Sequence, residues 1–195
     1  MLFRSSVPVL WDKKRRTIVN NESSEIIRML NGAFGRFTNV RTDYYPAPLR
    51  EEIDRVNAVV YENINNGVYR AGFATTQLAY EEAFAGVFAT LDALERRLAA
   101  GPFLFADRLT EADIRVFVTL ARFDAAYHGQ FKCNLRRIAD YANLSAYLAR
   151  LIALPAFRDT FNLDHIKRGY YSIKALNPTR IVPLGPELTW APRPA

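Results

Sequence analysis

The sequence predicts a mainly α protein, α+β overall, in which a partial ββα unit is followed by an all-helical domain. Three observations carry this. β-Branched and apolar runs at residues 7–11 and 17–19 flank a charged turn and lead into a helix start. From Arg50 onward apolar residues recur every three or four positions. Between them, residues 37–49 hold Pro46 and Pro48 and no helical period, so they read as a linker.

The elements follow in order. Residues 7–11 and 17–19 form a short antiparallel hairpin whose tip, Lys13 to Arg16, is a solvated turn rather than a phosphate-binding patch. Asn21 or Ser23 caps the next helix, Glu22 and Glu25 place negative charge in its first turn, and Ile26, Ile27, Met29 and Leu30 form its apolar face. Gly32 and Gly35 end it. A helix with Ile53, Val56, Val60 and Ile64 on one face stops at Gly67. A second runs from about Thr76 to Ala100, with Tyr80, Phe84, Val87, Phe88, Leu91, Leu94 and Leu98 on its apolar face. The third begins at Leu109-Thr-Glu-Ala-Asp-Ile114, where Thr110 and Asp113 make a capping box. Val116, Phe117, Val118, Leu120, Ala121 and Phe123 make that helix apolar over most of its circumference, so it is the centre of a bundle. Leu144, Tyr147, Leu148 and Leu151 mark a fourth helix that stops before Pro155, and one or two shorter ones fill residues 157–171. The last twenty residues are proline-rich and carry no period.

Composition narrows the function classes. Half of the 195 residues are hydrophobic, enough to bury a sizeable core. No run approaches the ~18 apolar residues of a membrane helix, and no signal peptide is recognisable, so the expectation is a cytoplasmic protein without a membrane partner. Cys133, His128 and His165 are too few for a zinc cluster, and no metal is expected. The net charge of +6 is spread along the chain with acidic residues interleaved, which argues against nucleic acid. Two strands and a helix, about 36 residues, do not enclose a core of their own. Either another chain or a preceding segment completes the sheet, or the unit lies against the helical domain with an exposed edge.

A Val-Pro strand, a Glu-Ser helix start and a bundle with a Thr-x-x-Asp box resemble the glutathione transferase fold from its middle onward. More narrowly, VPVLWDKKRRTIVNNESSEIIRMLN, YRAGFATTQLAYEEA, LTEADIRVFVTLARFDAAYHGQFKCN and HIKRGYYSIKALNPTRIVPLGP resemble the glutathionyl-hydroquinone reductases, the xi class of that superfamily. The resemblance implies that residues 1–36 are the C-terminal half of a thioredoxin-like glutathione-binding domain, 37–48 a linker, 49–175 the helical C-terminal domain and 176–195 an extended tail. It implies a cis Val7–Pro8 bond, with Val7, Pro8, Glu22 and Ser23 holding glutathione. It places Tyr69, Tyr127 and Tyr170 against an aromatic glutathionyl-hydroquinone, with Tyr171 as a possible substitute for Tyr170. It further implies a homodimer and a nucleophilic cysteine in a Cys-Pro-x-Ala motif ahead of the Val-Pro strand. That motif is absent from these residues, so the expectation is a chain with weak or no turnover, or one whose Met1 is not the true start. Cys133 is expected to be an inert packing thiol. The competing reading is a non-catalytic transferase-like interaction module.

Overall fold

The computed structural model describes residues 7–191. The chain divides into two compact units, Met1–Glu51 and Glu52–Ala195.

In the first unit β1 (Leu10–Asp12) pairs antiparallel with β2 (Thr17–Asn20). The pairing starts at Leu10 rather than Val7, and a bulge between Leu10 and Trp11 shifts the register. The Asp12 carboxylate accepts the Lys14 and Arg15 amides at 2.9 Å and closes the turn, leaving Lys13–Arg16 in solvent. Helix α1 spans Ser23–Gly32. Its cap is neither Asn21 nor Ser23: Glu22 takes the extended N-cap conformation and its carboxylate accepts the Ser24 amide. A glutamate fills that place because Asn20 first fixes the Glu22 amide at 2.7 Å. Ile26 is the buried residue of α1, whereas Trp11, Ile18, Val19 and Leu30 are half-exposed or more, so the unit presents much of its apolar surface outward. The proline-containing connection is tied down at its end. Asn31 bonds Asp43 and the Tyr44 amide, and Arg28 and Arg50 both lie over the Tyr45 ring.

The second unit is helical. Helix α2 (Arg50–Val60) does not end at Gly67 as its period suggests. It widens into a π-helical turn at Tyr61–Asn65 and resumes as α3 (Gly67–Gly72). Gly67 marks a close approach: a Cβ there would stand 3.1 Å from Val87 Cγ2 of α4 (Gln77–Leu98). Thr76 caps α4 through the Ala79 amide. Helix α5 (Glu111–Arg122) is the central one, with Val116, Leu120 and Ala121 fully enclosed, although Val118 faces solvent. Its start is anchored by Asp113, which is fully buried and accepts from the Leu104 and Thr110 amides, the Thr110 hydroxyl and the Tyr147 hydroxyl. Burial raises the Asp113 pKa, and those four bonds oppose the rise. A second π turn, Phe123–Tyr127, follows α5. Helices α6 (Ala142–Ala153), α7 (Pro155–Arg158) and α8 (Leu163–Tyr171) complete the unit. The described part of the proline-rich tail has turns but no helix or strand, and it is packed: Trp190 is buried against Phe161, and Lys167 donates to the Leu184 carbonyl. No helix among the described residues is long and apolar enough to cross a membrane.

Candidate functional site: a tyrosine cluster and a helix start

Three tyrosines from distant parts of the sequence meet in the second unit. Tyr69 comes from α3, Tyr127 from the end of the second π turn and Tyr170 from α8. Their hydroxyls form a chain, Tyr69 to Tyr170 at 2.7 Å and Tyr127 to Tyr170 at 2.6 Å. The π turn inserts one extra residue into the helical ladder, with the His128 amide reaching the Phe123 carbonyl, and so re-aims everything after Arg122. Beneath the hydroxyls, Phe131 packs on all three rings, with centroids 5.2 Å from Tyr69 and Tyr127 and 5.7 Å from Tyr170. Gly72 makes room for it, since a Cβ there would fall 2.4 Å from Phe131 Cγ. Left-handed Lys132 completes the loop, its carbonyl accepting from the Tyr80 hydroxyl at 2.7 Å.

Accessibility differs sharply within the cluster. Tyr69 is 40% exposed and Tyr127 only 2%, with Tyr170 between them. Burial pushes the Tyr127 phenol far above its ordinary value and Tyr170 up to about 12, with the Arg122 guanidinium pulling Tyr170 down. Tyr127 and Tyr170 are therefore neutral hydrogen-bonding groups at physiological pH. Tyr171 stands apart: its hydroxyl lies 3.0 Å from where a Cβ on Gly129 would be, and its ring packs on no described ring of the cluster.

In the first unit, the Val7–Pro8 peptide is cis and Val7 is almost fully exposed, leaving its N–H and C=O accessible to a ligand. Ser23 opens α1 with an exposed side chain that bonds no other described residue. Its amide belongs to the first turn, where helix N–H groups have no internal partner. Glu22 is already in use: its Oε1 accepts the Ser24 amide at 3.2 Å and the Ser24 hydroxyl at 3.1 Å. Its Oε2 receives no bond from another described residue.

No thiol joins either group among the described residues. Cys133 is fully buried and burial pushes its thiol up to about 12, so at neutral pH it is neither accessible nor a thiolate. The residues that sequence reasoning missed are Phe131 and Gly72. Neither belongs to a periodic pattern, and only the packing reveals that one needs the other. A separate groove of ≈ 440 Å³ between α2 and α4, lined by Val56, Val59, Val60, Leu94 and Arg97 among others, shares no residue with the tyrosine cluster.

Residues 77–150 match the glutathione S-transferase C-terminal domain. Across 184 residues the chain is 60% identical to glutathionyl-hydroquinone reductase PcpF of Sphingobium chlorophenolicum and 50% identical to glutathionyl-hydroquinone reductase YqjG of Escherichia coli. Each alignment takes in 94% of this chain but 59% and 56% of those relatives. The glutathione-bound structure of YqjG superposes with a TM-score of 0.92 at 49% identity, covering 95% of this chain and 60% of that one. The glutathione S-transferase Xi of Phanerochaete chrysosporium gives 0.91 at 52% identity, over 95% and 61%. The chain thus spans about three fifths of the length of the relatives it matches. Over nearly all of its residues the chain is similar in sequence and fold to glutathionyl-hydroquinone reductases and xi-class glutathione transferases.

Proposed function

We propose that the chain carries the ring-binding residues and part of the glutathione-binding residues of a glutathionyl-hydroquinone reductase. The observation that carries this reading is the tyrosine cluster: three phenols 43 and 101 residues apart share one hydrogen-bonded chain over a common phenylalanine. Tilted and edge-to-face rings with a hydroxyl edge suit an aromatic ligand that also bears hydroxyls. The supporting observations in the other unit are the cis Val7–Pro8 peptide and the free Ser23 hydroxyl at a helix start, where amides and dipole favour a carboxylate. In the proposed reaction a thiolate attacks the glutathione sulfur of the substrate and the sulfur–ring bond breaks. The electron pair passes to the ring, where a proton replaces sulfur. Thiolate from a second glutathione then releases oxidised glutathione from the protein disulfide and regenerates the thiol. Since Cys133 is buried and protonated, the attacking thiol is to come from elsewhere than the described residues. Homodimerisation and a cytoplasmic setting belong to the same proposal.

The experiment is steady-state release of hydroquinone from a glutathionyl-hydroquinone, using protein expressed from its own gene with any in-frame codons before Met1 included. Turnover that falls at least tenfold in Tyr69→Phe and is untouched by Cys133→Ser supports the reading. Turnover abolished by Cys133→Ser assigns the chemistry to the wrong residues. No turnover and no binding of the substrate leaves the interaction module as the better account.

A further inference from the structure

Helix α8 has little of its own to hold it in place. It is nine residues long and its buried residues are Ile166 and Lys167, so its position depends on what surrounds it. A lysine is rarely buried, and this one is 8% exposed with its ammonium donating to the Leu184 carbonyl at 2.6 Å. The Leu184 side chain is fully exposed, so at this point the tail is held by its backbone and not by apolar packing. Two further ties lie on either side. The Asn177 side-chain amide donates to the Tyr171 carbonyl at the end of α8, at 2.7 Å, and to the Ile181 carbonyl of the tail at 3.0 Å. Trp190 is buried with its ring 5.7 Å from Phe161, which stands just before α8. The tail thus passes α8 in reverse, touching its end, its middle and its start. It also acts on the π turn that carries Tyr127. Burial raises the pKa of Asp124 in that turn, and the Ile138 and Ala139 amides and the Trp190 indole N–H oppose the rise.

Tyr170 is the middle hydroxyl of the cluster, bonded to both Tyr69 and Tyr127. Lys167 precedes it by three residues, a spacing that makes the two neighbours on the helix surface. We propose that residues 177–190 form a strap that fixes α8 against the π turn, which makes Lys167 and Trp190 positioning residues for Tyr170. Neither meets the ligand. With the strap released, α8 moves Tyr170 away from its two partners, and the aromatic part of a ligand loses its seat while the groups around Val7 and Ser23 keep theirs. The inference rests on the reductase reading for its ligand, and the strap is read separately through Trp190.

The experiment measures two quantities by NMR in the intact chain, Lys167→Met, Lys167→Arg and Trp190→Ala. One is hydrogen exchange of the Trp190 indole N–H, which reports opening of the strap wherever Trp190 is present. The other is the affinity for a glutathionyl-naphthohydroquinone divided by that for glutathione alone, which isolates the contribution of the ring. Lys167→Met removes a charged hydrogen bond, so indole exchange should quicken roughly tenfold or more. The affinity ratio should fall roughly threefold or more, the scale of coupling through a packed element. Lys167→Arg keeps a donor for the Leu184 carbonyl and should restore both. Trp190→Ala frees the far end of the strap and should lower the same ratio, which keeps the test open if Lys167→Met does not fold. Ile152→Val, a mild core change in α6, should leave the ratio unchanged. Indole exchange that Lys167→Met does not quicken shows that Lys167 does not hold the strap and overturns the proposal. Quickened exchange with an unchanged ratio also overturns it, because the strap then only packs, and leaves the ring-binding reading standing. An intact chain that binds the conjugate no better than glutathione removes the ring-binding reading, and the positioning role with it.

Discussion

Replacing Gly72 by alanine tests whether Phe131 is the keystone of the tyrosine cluster. A Cβ at residue 72 would lie 2.4 Å from Phe131 Cγ and 2.8 Å from its Cβ and Cδ1. Carbon atoms normally approach to about 3.5–4.0 Å, so the ring must move by roughly 1 Å. It has nowhere easy to go: Phe131 is fully buried and bounded by Tyr69, Phe73, Tyr127 and Tyr170. Overpacking of this kind costs about 1–3 kcal/mol. The helix propensity of alanine returns up to about 1 kcal/mol, less at the last residue of α3. The expected net loss is about 1–2 kcal/mol, which lowers Tm by roughly 2–8 °C for a protein of this size. Calorimetric melting measures it, with Phe131→Leu as the companion variant. In the Phe131→Leu background Gly72→Ala should be neutral or stabilising, because the obstructing ring is gone. A higher Tm for Gly72→Ala in the otherwise unaltered chain would show that propensity outweighs the contact and would refute the reasoning.

Three other outcomes follow from the same structure. Asp113→Ala strands four buried donors, two amides and two hydroxyls, and should cost about 3–5 kcal/mol, a Tm drop on the order of 10 °C in a thermal melt. Cys133 should resist alkylation at pH 8 in the native chain and react fully in denaturant; rapid native labelling would contradict its burial and its pKa of about 12. Tyr170 has a folded pKa of about 12 against ~10 when unfolded, so its proton is released on unfolding in that window. Stability is intact below pH ~10 and falls as pH rises toward 12, by at most ~1.4 kcal/mol per pH unit from this group, and Tyr170→Phe should flatten that part of a Tm-against-pH curve.

How much of this was legible beforehand depends on where each signal resides. The capping box at Thr110 and Asp113 is local, so sequence spacing finds it, and Asp113 does reach back to the Thr110 amide. The bundle's main helices were legible for the same reason, because period 3.6 writes their apolar faces into the sequence. The π turns were not. Residues 61–65 and 123–127 read as ordinary helix, since one wider turn barely disturbs a short apolar period, yet the second of them aims Tyr127. Gly67 looked like a stop because glycine usually is one, whereas here it lets α3 approach α4. Glu22 was assigned to a ligand, but it also caps its own helix, a choice decided by Asn20 holding the preceding amide. The tyrosines themselves came from resemblance alone, for no local rule links Tyr69 to Tyr170 across 101 residues. Trp190 lies in a tail without period, and its burial depends on contacts that the tail's own sequence does not encode.

Titration of the isotope-labelled chain with glutathione and then with a glutathionyl-naphthohydroquinone, followed by amide and aromatic NMR, tests the central claim most directly because it needs no turnover. The account predicts that glutathione alone shifts the Val7 and Ser23 amides, and that the aromatic conjugate adds shifts at the Tyr69 and Tyr170 rings. Millimolar ligand that leaves both groups unmoved, or that shifts residues of the α2–α4 groove instead, would contradict it.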